Sequence, residues 1–229
     1  MPAREFLQAA ARVAGIALSA ALCGAFTGLV WQQLNSNQMP LWLVARAAGA
    51  AAFVLLTAVT LAGIVLSHPD RARLRWPRPA TRLRLHVSLT VFALVFTVLH
   101  VVVLAVDPYA KVGWAGALLP MGAAYRPVPV TLGVISLWAG VVAGLSAALA
   151  GRVTIRWWRS LHRLSALAWL TAWAHALLAG SDTPAWTVAY IASGLAVLGA
   201  AWWRYAATRP VENPKAAGST LAPVRTGRR

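Results

Sequence analysis

The chain has 229 residues, of which 59% are hydrophobic and only 11% charged, with a formal net charge of +16. A typical soluble domain carries about a quarter charged residues, so too little polar surface exists here to cover one aqueous core, and an integral membrane protein is the direct reading. The positive charge does not point to nucleic acid, because the Arg residues stand in short clusters between long apolar runs, as they do in the basic loops of bilayer proteins.

Six apolar segments are long enough for a hydrocarbon core of ~30 Å, which takes about 20 helical residues. They fall near 10–31, 42–66, 84–106, 129–150, 160–179 and 185–206. The first could be mistaken for a signal peptide, since Arg4 and Arg12 precede it, but Val13 to Trp31 outruns an ordinary signal core. Cys23 lies within it as the single cysteine, which excludes an internal disulfide or a Cys-x-x-Cys site and reads as packing. Pro40, Pro77, Pro79, Pro127, Pro129 and Pro184 punctuate the gaps. Gly24 with Gly28, Gly140 with Gly144, and the small residues of Ala45–Ala52 allow close helix approach. The expected organisation is a first-helix segment over 1–40, a membrane domain over 41–208 and a disordered basic tail over 209–229.

Charge sets the topology. All but three of the 21 basic residues fall on one side of a six-span chain: Arg4 and Arg12, the cluster from Arg71 to Arg84, the cluster from Arg152 to Arg163, and Arg204 onward. Only Arg46, Lys111 and Arg126 fall on the other side. The expectation is a multi-pass protein of a bacterial plasma membrane with both termini cytoplasmic. Trp31, Trp42, Trp114, Trp157, Trp158, Trp186 and Trp202 sit near helix ends, as interfacial anchors do.

The chemistry-bearing residues are histidines. Glu5, Asp70, Asp107, Asp182 and Glu212 all lie outside the helix cores, so the membrane carries no acid for a proton relay or cation transport. His86 and His100 lie 14 residues apart on the third predicted helix, and His162 and His175 lie 13 apart on the fifth. Both helices run outward from the cytoplasm. His86 and His162 therefore share an inner level, His100 and His175 an outer one, and ~20 Å separates the levels. Imidazoles at matched depths on parallel helices suit bis-histidine ligation of two stacked haems. Fourteen residues make four turns at 3.5 per turn; thirteen fall short by ~100°. Either an irregularity in the fifth helix or an offset haem plane must absorb the difference. His68, in Ser67–His68–Pro69, has no partner at its level and reads as interfacial.

The stretches LWLVARAAGAAAFVLLTAVTLAGIVLS, RLHVSLTVFALVFTVLHVVVLAVDPYAKVGW, YRPVPVTLGV and RWWRSLHRLSALAWLTAWAHALLAGSDT resemble the ferric reductase-like transmembrane domain over about residues 40–206. That family includes ferric reductases, NADPH oxidases and the haem subunit of a bacterial methionine sulfoxide reductase system. The resemblance implies an all-α six-helix bundle with two b-type haems between helices three and five. It implies the ligand pairs His86 with His162 and His100 with His175, and the unequal spacing is shared with the family pattern. No Gly-rich dinucleotide fingerprint occurs. The expectation is thus an oxidoreductase component with no catalytic side chain of its own, fed by a separate flavin/NAD(P)H reductase or by quinol, and passing electrons to an outer-face partner.

Arg82, Arg84, Arg159 and Arg163 flank the inner ligands, and Arg46 and Arg126 lie at the outer side. Guanidinium pairs with carboxylate in bidentate fashion, so Arg46, Arg126 and Arg159 are haem propionate candidates. The competing readings are a non-enzymatic membrane subunit with structural histidines, and a small-molecule transporter, which the lack of buried acids and of broken repeat-related helices disfavours.

Overall fold

A computed structural model describes residues 40–70, 78–180 and 183–207. The first predicted span, with Cys23, Gly24 and Gly28, and the tail over 209–229 lie outside the described residues. Among those described, the chain is all-helical, with no strand. The helices are α1 (Pro40–Ser67), α2 (Pro79–Val106), α3 (Gly113–Leu118), α4 (Pro127–Ala148), α5 (Ile155–His162), α6 (Leu164–Ala179) and α7 (Thr183–Ala206). Four of them, α1, α2, α4 and α7, are long and apolar enough to cross a membrane. This is a multi-pass membrane protein by length and composition.

Proline sets several of the ends. Pro79 opens α2 and forces Arg78 into extended backbone (ψ 149°). At the other end Pro108 has no amide to continue the helix, and Asp107 before it turns extended (ψ 111°). Pro127 opens α4 after Arg126, which adopts left-handed backbone (φ 43°). Within the spans the hydroxyls of Thr57, Thr60, Thr90 and Thr97 donate to carbonyls four residues back, so they present no unpaired group to lipid.

The fifth predicted span differs from expectation. It is two helices, α5 and α6, meeting at Arg163, and α6 alone has 16 residues, too few for a full crossing. At the junction the Ala166 amide donates to the Arg163 carbonyl three residues back, at 3.0 Å. Such a tightened turn advances each residue by ~120° rather than ~100°, so three residues recover roughly 60°. That is more than half of the angular deficit that the 13-residue spacing carries.

Two helical hairpins make the body: α2 packs mainly on α1, and α6 mainly on α4. α2, with His86 and His100, and α5 with α6, which carry His162 and His175, thus lean mainly on different partners. Ser136 on α4 donates to the Ala168 carbonyl on α6 at 2.7 Å, and a Cβ at Gly140 would stand 4.0 Å from Ala168 Cβ. Gly140 thus faces α6 as its small-residue pair predicts, whereas a Cβ at Gly144 would meet nothing within 4 Å among the described residues.

α7 closes against α1 and α6. Phe53 meets Tyr190 edge-on at 5.4 Å, and Trp173 Nε1 donates to the Tyr190 carbonyl at 3.0 Å. The outward face of α7 carries Val188, Leu195, Leu198 and Trp202, all more than 60% exposed, which in a membrane is lipid-facing surface. Arg204 Nε donates to Ser67 Oγ at 3.3 Å, which brings the ends of α1 and α7 to one level. His68, expected to stand without a partner, is buried there and stacks on Trp203 at 3.7 Å. Its Nδ1 accepts from the Asp70 amide.

Candidate haem site

Each of the four histidines is held by the same device. His86 Nδ1 lies 3.2 Å from the Val59 carbonyl, His100 Nδ1 2.7 Å from Ala45, His162 Nδ1 3.4 Å from Ala143, and His175 Nδ1 2.8 Å from Pro129. A carbonyl can only accept, so Nδ1 carries the hydrogen and Nε2 is left with the lone pair. This is the outer-shell bond that fixes the tautomer and orientation of a ligating histidine and raises its basicity. The four imidazoles are prepared as Nε2 donors.

The carbonyls repeat with the histidines. Ala45 and Val59 are 14 residues apart on α1, and Pro129 and Ala143 are 14 apart on α4. Four residues beyond each accepting carbonyl, on the same helix face, stand Gly49, Gly63, Gly133 and Ala147. A Cβ at Gly49 would lie 2.8 Å from the His100 ring, at Gly133 3.0 Å from His175, and at Gly63 3.3 Å from His86. The glycines are therefore notches that let the imidazole lie flush against the neighbouring helix. The fourth position has Ala147 instead, and its histidine, His162, makes the longest of the four Nδ1 contacts.

The pairing then follows in space. The His86 and His162 ring centroids are 6.4 Å apart at an interplanar angle of 71°, and those of His100 and His175 have the same separation and angle. A six-coordinate metal roughly 2 Å from each of two ring nitrogens sets the ring centroids about 6 Å apart. The spacing fits axial ligation by two imidazoles, with the remaining ligands left to a macrocycle. No group of three or more His, Cys, Asp or Glu that could hold a bare ion exists among the described residues. The unequal sequence spacing has not disturbed the match, and the tightened turn at Arg163 recovers more than half of the angular difference.

Other residues frame the pairs. Trp158 stacks on His162 at 5.3 Å, and its buried indole N–H has no hydrogen-bond partner among the described residues. Trp169 is buried between the two levels on α6 and donates from Nε1 to Thr57 Oγ1 of α1 at 3.0 Å. On α2, Ala93 is seven residues from each histidine and buried, so the helix is slim midway. At the far end Arg126 donates from Nη1 to the Leu178 carbonyl at 2.8 Å, tying the start of α4 to the end of α6 three residues beyond His175. Arg46 follows Ala45 on α1, half-buried. Arg159 is exposed and lines a groove with Arg156 and Arg163.

Sequence reasoning found the four histidines and their levels. It read Gly49 only as one of the small packing residues of Ala45–Ala52 and did not single out Gly63, Gly133, Thr57 or Trp169. The 14-residue interval from Gly49 to Gly63 equals that from His86 to His100 and was the available signal. No protein-family model, no functionally curated protein and no solved structure matches the chain.

Proposed function

We propose that this protein is a membrane electron conduit that holds two b-type haems, one between His86 and His162 and one between His100 and His175. It is read as a member of the ferric reductase-like transmembrane class, taking electrons from a cytoplasmic or quinol donor and releasing them to an acceptor at the outer face. The observation carrying this reading is the duplicated imidazole pair, each with centroids 6.4 Å apart. Haem at each level would supply one-electron ferric/ferrous exchange.

The residues of the chain do the rest. The carbonyls of Ala45, Val59, Pro129 and Ala143 hold the imidazoles in one tautomer. Trp169, buried on α6, stands in sequence between the two levels. Arg46 and Arg126 supply guanidinium at the far end, where carboxylate groups of the outer cofactor would need neutralising. Arg126 spends one donor on Leu178, and a guanidinium has five. At the inner level the unpartnered Trp158 N–H is a ready donor beside His162.

A purely structural role would account for the Nδ1 bonds. It gives no reason for two histidine pairs with the same spacing and angle. The test is the spectrum of protein purified from a haem-replete host: a reduced-minus-oxidised b-type signal with about two haems per chain is expected. Colourless protein overturns the reading.

A further inference from the structure

We infer that the groove beside α5 is a binding site for a phosphate group at the basic membrane surface. The groove has a volume of about 310 Å³, is half open, and is lined by Ile155, Arg156, Arg159, Ser160 and Arg163. The three arginines follow at i, i+3 and i+7, so they share one helix face. Like charges at such spacings repel along a helix. Among the described residues no carboxylate contributes to the lining to offset them. Three guanidiniums and one hydroxyl facing the same space form a donor set for an oxyanion, and guanidinium matches phosphate with two parallel bonds.

The groove is separate from the histidine pair. His162 and Trp158 belong to the same short helix but do not line the groove. Its depth is set by the helix itself. α5 ends at His162, and Ile155 and Trp157 on its flanks are 59% and 66% exposed, an apolar and aromatic edge of the kind that sits at headgroup level. A phosphate there can come from an anionic phospholipid or from a free phosphate-bearing solute in the adjoining water. The chemistry recognised is the same.

The experiment uses the full chain in detergent at fixed ionic strength. Native mass spectrometry follows retention of phosphatidylglycerol in competition with phosphatidylcholine, and tryptophan-monitored unfolding follows stabilisation by inorganic phosphate. Retention of phosphatidylglycerol without a phosphate response identifies the headgroup as the source; a phosphate response without lipid selectivity identifies a free solute. Either signal should fall roughly tenfold in R159Q, and further in R156Q/R163Q, since each charge-assisted pair is worth about one decade of affinity. R152Q, which removes a nearby charge outside the groove, should leave it intact. R159K, which keeps the charge but not the fork, should be intermediate and serves if the glutamine variants do not fold. Absence of both signals in the unaltered chain, or equal loss in R152Q, overturns the inference. So does loss of haem in R159Q with both binding signals unchanged, which would assign Arg159 to the inner cofactor.

Discussion

His100 on α2 stands 2.7 Å through Nδ1 from the backbone carbonyl of Ala45 on α1, one helical turn from the notch at Gly49. The same relation recurs for His175 with Pro129 and Gly133 on the other hairpin. α1 and α4 thus aim the imidazoles, which are carried by α2 on one side and by α5 and α6 on the other.

The aiming role of the notches is testable. Gly49→Ala puts a Cβ within 2.8 Å of the His100 ring, Gly133→Ala within 3.0 Å of His175, and Gly63→Ala within 3.3 Å of His86. Overpacking of this kind costs about 1–3 kcal/mol. Haem retention and thermal stability should therefore fall in the order Gly49, Gly133, Gly63, with the first two affecting the outer level and the last the inner. An unordered result, or an effect of Gly63→Ala confined to the outer level, contradicts the assignment.

Removal of one ligand should empty one level only. His100→Ala and His175→Ala are expected to reduce haem from two to one per chain, and each should leave the His86 and His162 signal in place. Haem content by absorbance and the number of redox waves in a potentiometric titration decide this. Two haems surviving in both variants would dismiss the outer pair as ligands.

Trp169 and Thr57 join α6 to α1 by a single side-chain hydrogen bond of 3.0 Å. Trp169→Phe and Thr57→Val should each cost about 1 kcal/mol. The double variant should cost little more than either, because both changes remove one bond. Unfolding measured on the four proteins gives the coupling, and simple additivity would mean that the bond contributes nothing.

Arg126 combines left-handed backbone with its bond to the Leu178 carbonyl. Arg126→Ala loses the bond and keeps the backbone strain; Arg126→Gly loses the bond and relieves the strain. Alanine should be the more destabilising by roughly 0.5–1 kcal/mol in thermal unfolding. A more stable alanine variant would show that φ at this position is not constrained.

The long apolar runs and the proline punctuation were enough to place α1, α4 and α7 closely, whereas α2 starts earlier than expected, the fifth expected span is two helices, and the short α3 was not foreseen. Length in a bilayer is dictated by hydrocarbon thickness, and a proline without an amide marks an end wherever it falls. The four histidines were equally legible, since an imidazole at membrane depth stands out against Val, Leu and Ala.

Other features belong to the fold alone. The accepting carbonyls of Ala45, Val59, Pro129 and Ala143 are backbone atoms, and every residue has one, so no side chain marks them out. Gly49, Gly63 and Gly133 read as ordinary small packing residues until a ring is seen lying on them. The tightened turn at Arg163, which recovers part of the angular difference between a 13-residue interval and one of 14, depends on which carbonyl the Ala166 amide meets. Composition and spacing pointed to imidazoles at two levels on separate helices. Only packing, which fixes helix rotation by contact rather than by sequence distance, brought each pair to 6.4 Å.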